Sequence, residues 1–150
     1  MNRTSNLPSR VRARQVAALS TGERVYLAAP KAEYESLRYQ RLAAVARRLF
    51  PHADVIEART AFVDVADWRT NWPAIAASIT ALVFLTTPDG WIGRGVWAEI
   101  QEAHARVPVY VLTDRGQLVP HADVVFSRPN PDNWTEHVRV TARTGGSNAA

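Results

Sequence analysis

A chain of 150 residues has the length of one ordinary domain, and its lack of cysteine excludes disulfides and thiolate metal sites. No apolar run is long enough to span a bilayer and no signal peptide is recognisable, so we expect a cytoplasmic protein without a membrane partner. The formal net charge of +4 is unevenly placed: four arginines precede the first acid, Glu23, and from there on 14 basic residues face 14 acidic ones.

Residues 1–22 form a basic leader that we expect to be weakly ordered, because serine, asparagine, proline and arginine are mixed there. The leader could make a weak contact with nucleic acid, but a body of zero net charge argues against a nucleic-acid-binding domain. Residues 23–142 are predicted to form an α/β domain, and residues 143–150 a flexible tail.

Apolar runs of strand length alternate with helical spacings along the body. The predicted strands cover residues 24–29, 53–57, 81–85, 107–112 and 122–126, and the predicted helices residues 33–50, 67–78, 95–106 and 132–141. Apolar strands that alternate with helices indicate a parallel sheet covered on both faces. We therefore predict one three-layer α/β domain with a five-stranded parallel sheet in the flavodoxin-like order 2-1-3-4-5.

In that order, the carboxyl ends of the first and third strands border a crevice where such folds bind ligands. Tyr26 lies on the first strand, and a loop with three glycines joins the third strand to a helix that carries Glu99 in its predicted first turn. We expect the two side chains to approach each other. Glu99 is then either a reactive carboxylate or a charge that stabilises the helix N-terminus, and Tyr26 is either its partner or an ordinary core residue.

Three segments resemble the nucleoside 2-deoxyribosyltransferase superfamily. Residues 25–30 (VYLAAP) are similar to its opening strand, and residues 95–103 (GVWAEIQEA) to its signature, a glycine followed by glutamate and then alanine at intervals of four. Residues 107–112 (VPVYVL) resemble the strand that follows. The similarity covers roughly residues 24–113, and it rests on the order and spacing of the three segments.

The resemblance implies that Glu99 is the nucleophile, which attacks the anomeric carbon of a nucleoside, expels the base and forms a glycosyl ester. Tyr26 would hold that carboxylate by a hydrogen bond, and Asp89 is the candidate proton donor or base-orienting group. Trp91 could stack on a base and Arg94 could meet a phosphate. The candidate substrate-binding residues are Ala29, Pro30, Trp91, Gly93, Arg94 and Gly95. Trp97 flanks the same glycines and could also stack on a base, whereas Trp68, Trp72 and Trp134 are assigned to packing.

This chain departs from the family pattern at two aspartates. The position of the sugar-contacting aspartate falls near Asn71 or Trp72, so that Asp64 or Asp67 would have to substitute for it. The aspartate two residues before the signature glycine is replaced by Gly93.

The implied activity is cleavage or transfer of the N-glycosidic bond of a small nucleoside or nucleotide, without cofactor or metal, by a homo-oligomer of two or more copies. One alternative is a non-catalytic module of the same fold that binds nucleotides or oligomerises. Another is a NAD-cleaving domain of the Toll/interleukin-receptor type, which also uses a helix glutamate after a loop.

Overall fold

Strands and helices alternate through most of the chain in the computed structural model, which describes residues 22–128 and 137–143. The strands are β1 (Glu23–Ala28), β2 (Ala53–Glu57), β3 (Ala81–Phe84), β4 (Trp91–Ile92), β5 (Val109–Leu112), β6 (Leu118–Pro120), β7 (Val124–Ser127) and β8 (Val138–Ala142). The helices are α1 (Leu37–Leu49), α2 (Ala58–Ala61), α3 (Val65–Ser78) and α4 (Arg94–Ala103), with 3-10 turns at Lys31–Glu33 and His121–Asp123. The predicted α/β class is confirmed.

The larger sheet has five strands in the order β2-β1-β3-β5-β6. The pairs β1–β2, β1–β3 and β3–β5 are parallel, whereas β5 and β6 are antiparallel. The sheet is therefore mixed, and the prediction of a purely parallel sheet in the flavodoxin-like order is wrong at its last strand.

The length of one connection explains this difference. Residues 113–117 join β5 to β6, and a parallel crossover needs a dozen residues or more. The chain instead turns back on itself: the Gly116 amide donates to the Thr113 carbonyl, and Gly116 adopts a φ of +80°, which glycine tolerates.

A smaller antiparallel sheet has the strand order β4-β8-β7. The predicted fifth strand forms β7 of this sheet. Part of the predicted last helix is instead a strand, since residues 138–142 form β8. Along β8 the valines at 138 and 140 are buried while Arg139 and Thr141 are exposed, and this period of two belongs to a strand. The rest of that predicted helix, the leader through residue 21 and the tail from residue 144 lie outside the described residues.

Three predicted helices form with shifted ends: α1 begins four residues after its predicted start, α3 begins two residues before, and α4 ends three residues before its predicted end, whereas α2 lies where no helix was predicted. Ser36 caps α1 by accepting a hydrogen bond from the Tyr39 amide, and Pro51 follows its end. Asp64 caps α3, and this helix continues through Pro73, which lies on its exposed side. In the part of the chain that the structure describes, no helix combines the length and apolarity needed to cross a membrane.

Alternation along β1 divides the core between the two faces of the larger sheet. Val25 and Leu27 pack with α1 on one face, whereas Tyr26 and Ala28 join the cluster that contains α3, α4 and the smaller sheet on the other. The side chain of Tyr26 is therefore directed towards the helices that surround the candidate site.

Candidate active site

Glu99 lies on the buried side of α4. Val96, Ile100 and Ala103 share this side at helical spacing and pack against the sheet, which leaves Glu99 only 4% exposed. Tyr26 reaches the same place from β1 and is fully buried. The two side chains are 73 positions apart in sequence and meet directly, as predicted.

The predicted place of Glu99 in the first helical turn is wrong. Gly93 is the N-cap and Glu99 is the sixth residue of α4, so it lies in the second turn. The field of a helix N-terminus fades beyond the first turn. Other groups must therefore set the ionisation of this acid.

Two neutral donors bind one oxygen of the carboxylate. The Tyr26 hydroxyl donates to Glu99 Oε2 at 2.5 Å, and the Trp68 indole Nε1–H donates to the same atom at 2.7 Å. The hydrogen bonds found among the described residues include none to Oε1. Oε2 is therefore held by two donors, whereas Oε1 accepts no hydrogen bond from the described residues.

Burial raises the pKa of Glu99 to about 7, although the hydrogen bonds from Tyr26 and Trp68 act in the opposite direction. Burial, followed by the charge of Glu99, also raises the pKa of Tyr26, which stays a protonated donor at neutral pH. A carboxylic acid with a pKa near 7 exists in both forms at physiological pH, as is typical of groups that take part in chemistry.

Glu57, at the end of β2, shows how this protein holds a structural carboxylate. Its side chain is 11% exposed, and it accepts hydrogen bonds from Tyr39 at 2.6 Å and from Arg47 at 2.5 Å. Burial alone would raise the pKa of Glu57, but these donors and the positive charge of Arg47 outweigh it, and the pKa lies below its usual value. Glu57 therefore remains an anion in a closed ion pair.

The buried acid Glu33 is also paired with a cation. Arg38 lies 3.2 Å from its Oε1, and the same guanidinium donates to the Thr86 carbonyl and to Asp114, which ties together the ends of β1, β3 and β5. Glu99 differs from both acids, since no cationic nitrogen of the described residues lies within ion-pair distance of it. A buried carboxylate without a cation is costly, and such costs are characteristic of functional sites.

Tyr34 packs on the α1 side of the larger sheet, opposite the face of Tyr26. It follows the 3-10 turn after β1, is half-buried, and contacts the Tyr39 ring edge-on with centroids 5.9 Å apart. Burial and then the charge of Glu99 raise the pKa of Tyr34 to about 12, which shows that this phenol lies within electrostatic range of the carboxylate.

Asp89 occupies an exposed turn. Its carboxylate accepts from the Thr87 hydroxyl at 2.7 Å, within a turn closed by the Gly90 amide and the Thr87 carbonyl. The Thr87 hydrogen bond is the main reason why the pKa of Asp89 lies below its usual value. At neutral pH Asp89 has no proton to give, so its predicted role as a donor stays a prediction that this environment does not favour.

Trp91 lies on β4 of the smaller sheet, where its ring contacts neighbouring side chains. The Arg139 guanidinium lies 5.3 Å from the centre of its ring, and the His137 ring meets it edge-on at 6.1 Å. Arg139 therefore occupies a place over the indole that a stacked base would need. Whether Trp91 binds a base is still a prediction.

The residues at the start of α4 lie at the surface or close to it. Gly93 is half-buried, while Arg94 and Gly95 are exposed. Nothing lies within 4 Å of the place where a side chain would begin at Gly95. Ala29 packs with the α1 side of the sheet, opposite the face of Tyr26, and Pro30 accepts a hydrogen bond from the Glu33 amide. Their predicted contacts with a substrate are untested.

Both aspartates that might replace the family's sugar-binding acid are engaged at the start of α3. Asp64 accepts from the Asp67 amide at 2.8 Å, and Asp67 in turn accepts from the Val63 amide at 2.8 Å. This reciprocal arrangement is a helix cap. The two carboxylates therefore fix the helix rather than extend to Glu99.

Sequence reasoning assigned Trp68 to packing, yet this residue contacts the candidate nucleophile. A signal was present: the two tryptophans of α3 are four residues apart, and Glu99 and Glu102 of α4 are three apart, so each pair lies on one side of its helix. This spacing makes the pairing compatible with the sequence, but that the two helices face each other follows only from their packing.

Searches of protein-family models, curated proteins and solved structures found no match for this chain. The resemblance to the nucleoside 2-deoxyribosyltransferase superfamily thus stays a prediction from the sequence. The described residues contain no cluster of three or more potential metal ligands. The case for chemistry at this site rests on Glu99 and its two donors.

Proposed function

We propose that the protein cleaves or transfers the N-glycosidic bond of a nucleoside or nucleotide, with Glu99 as the nucleophile. The observation that carries the proposal is the state of Glu99: a buried carboxylate, without a cation, held through Oε2 alone by Tyr26 and Trp68. The motif resemblance supports the substrate class, and the two hydrogen bonds to Oε2 favour Oε1 as the attacking atom.

The reaction proceeds in two displacements. Glu99 Oε1 attacks the anomeric carbon, the bond from that carbon to the base nitrogen breaks, and the base leaves with the electron pair and takes a proton from solvent. Water or a second base then attacks the same carbon, releases its proton, and restores the carboxylate. Two inversions give net retention at the anomeric carbon.

The surroundings of Glu99 suit a nucleophile rather than a permanent anion. At pH 7 about half of the molecules carry the charged form, because burial raises the pKa of Glu99 to about 7. The hydrogen bond from Tyr26 supports that charged form, and it persists after attack as a contact to the ester oxygen. Asp89 is left out of this mechanism.

A chromatographic assay tests the proposal. The full chain is incubated with deoxynucleosides, ribonucleoside monophosphates and NAD, and released base is measured from pH 5 to 9. We expect base release from at least one class, with kcat/KM increasing about tenfold per pH unit below pH 7 and levelling above it. Glu99→Gln should lower release by about 10³-fold or more.

Glu102→Gln is the matched control. It makes the same substitution one turn along α4, on an exposed acid that does not contact Glu99's donors. We expect its turnover to equal that of the wild type, and mass spectrometry of quenched wild-type protein to show a glycosyl adduct that Glu99→Gln lacks. Base release that survives Glu99→Gln, or that is absent from every substrate class, would overturn the proposal.

A further inference from the structure

Two tryptophans of α3 donate their indole N–H groups to two glutamates of α4. Trp68 Nε1 lies 2.7 Å from Glu99 Oε2, and Trp72 Nε1 lies 2.9 Å from Glu102 Oε1. The surroundings of the two acceptors differ, since Glu99 is 4% exposed and Glu102 is exposed. Trp68 therefore donates to a carboxylate that is removed from water, whereas Trp72 donates to a carboxylate at the surface.

The first turn of α3 holds Trp68 in place. Its backbone amide donates to the Asp64 carbonyl at 3.0 Å, which is the first bond of the helix after the cap. The cap itself is reciprocal, with Asp64 and Asp67 each accepting a backbone amide. The cap and the first helical hydrogen bond therefore hold the backbone at Trp68. Its half-buried ring packs against the core cluster that contains Tyr26.

We propose that Trp68 is a positioning residue for the reaction: together with Tyr26 it fixes Oε2 of Glu99, so that Oε1 is the oxygen that attacks the anomeric carbon. This inference rests on the proposed function. Two donors on one oxygen, from β1 and from α3, restrain the carboxylate about its terminal bond, and a nucleophile held in one orientation loses less entropy on reaching the transition state.

The chemistry of the donor matters. An arginine here would pair with the carboxylate and hold it as a stable anion, as Arg47 does for Glu57. An indole N–H makes one hydrogen bond and brings no charge. Trp68 therefore orients Oε2 while the negative charge of the carboxylate stays available for attack.

The first experiment needs no substrate. The carboxyl carbons of glutamate are labelled with ¹³C, and the Glu99 signal, identified by its loss in Glu99→Gln, is titrated in the wild type, Trp68→Phe and Trp72→Phe. Phenylalanine keeps an aromatic ring and removes the N–H donor. We expect the Glu99 midpoint to increase by roughly one pH unit in Trp68→Phe, because a hydrogen bond to the charged form is lost. Trp72→Phe should leave it unchanged.

The second experiment measures turnover with the same three proteins. In Trp68→Phe we expect the acid limb of the pH profile to move to higher pH with the titration. We also expect kcat to stay about tenfold low above that limb with little change in KM, since the carboxylate is then charged but less well oriented. If the role of Trp68 were purely structural, Trp68→Phe would lower the amount of folded protein. It would change neither the acid limb of the pH profile nor the titration midpoint of Glu99.

A measurement on the labelled wild-type chain tests the inference even if Trp68→Phe does not fold. In protein that contains 5-fluorotryptophan, the ¹⁹F signal of Trp68 should shift with a midpoint near pH 7, and this shift should vanish in Glu99→Gln. The inference would be overturned by an unchanged Glu99 midpoint in folded Trp68→Phe. It would also be overturned by a Trp68 ¹⁹F signal that does not respond to the ionisation of Glu99. Absence of turnover in the wild type would overturn the proposed function instead, whatever the titrations show.

Discussion

At the scale of single residues, Glu99 shows what burial does to a carboxylate. Tyr26 and Trp68 each favour its charged form, yet removal from water outweighs both, and the pKa of Glu99 increases to about 7. Glu57 is only partly buried and has arginine partners, and its pKa lies below the usual value. The pKa values of the two acids therefore differ for two reasons: Glu99 is more deeply buried, and its donors are neutral whereas those of Glu57 include a cation.

Glu99→Gln is expected to stabilise the protein at alkaline pH. The pKa of Glu99 is about 7 in the folded state and near 4.5 in the unfolded chain, so unfolding releases a proton between these values and the free energy of unfolding decreases as pH increases. Across that window the loss amounts to roughly 3 kcal/mol. Glutamine has no charge to bury and should avoid most of this loss.

Urea unfolding at pH 4.5 and pH 9 measures the effect. At pH 9 we expect the free energy of unfolding of Glu99→Gln to exceed that of the wild type by roughly 1–3 kcal/mol, with little difference at pH 4.5. Glu102→Gln, at an exposed position, should show no such dependence on pH. A wild type as stable as Glu99→Gln at pH 9 would contradict the raised pKa.

At the scale of secondary structure, local side-chain chemistry decides where the elements around the site begin. Ser36 caps α1 and Asp64 caps α3, whereas Gly93 caps α4 without a side-chain bond. Pro73 does not interrupt α3, because the helix is supported by the burial of Trp72 and Ala76 on its inner side. The start of α3 is important for the site, since Trp68 follows its cap by four residues.

Asp64→Ala is expected to lower the free energy of unfolding by about 1 kcal/mol, because the Asp67 amide loses its acceptor. Asp54→Ala is the matched control: it removes the same charge from an exposed site where the aspartate meets Arg24 only at 3.8 Å, and it should cost about 0.5 kcal/mol or less. Urea unfolding of the two variants compares them directly. Equal losses would show that Asp64 does not act as a cap.

At the scale of the whole molecule, the two sheets share one core. Ile92 of β4 and Val138 of β8 are almost fully buried, and both belong to the cluster that also contains Tyr26, Leu82 and Ile100. The smaller sheet therefore packs on the face of the larger sheet where Glu99 lies. We expect the described body to unfold as a unit.

Ile92→Ala tests this shared core. Truncating a fully buried isoleucine should lower the free energy of unfolding by about 2–5 kcal/mol, through lost burial and the cavity left behind. Val125→Ala, at a position 38% exposed on β7 of the same sheet, should cost about 1 kcal/mol or less. Tryptophan fluorescence and circular dichroism should report coincident transitions, and a separate early melting of the smaller sheet would contradict a single core.

Elements with local signals could be predicted from the order of residues alone. The apolar runs from Glu23 to Ala28 and from Ala81 to Phe84, the helical spacing of α1, and the approach of Tyr26 to Glu99 were predictable, because strand and helix periods and the order of neighbouring parallel strands are written along the chain. Three features follow from packing instead: the antiparallel pairing of β6, the place of residues 124–127 in a second sheet, and the contact of Trp68 with Glu99. Those features depend on which faces bury each other, and the raised pKa of Glu99 has the same origin, since desolvation is a property of the packed surroundings and not of the residue.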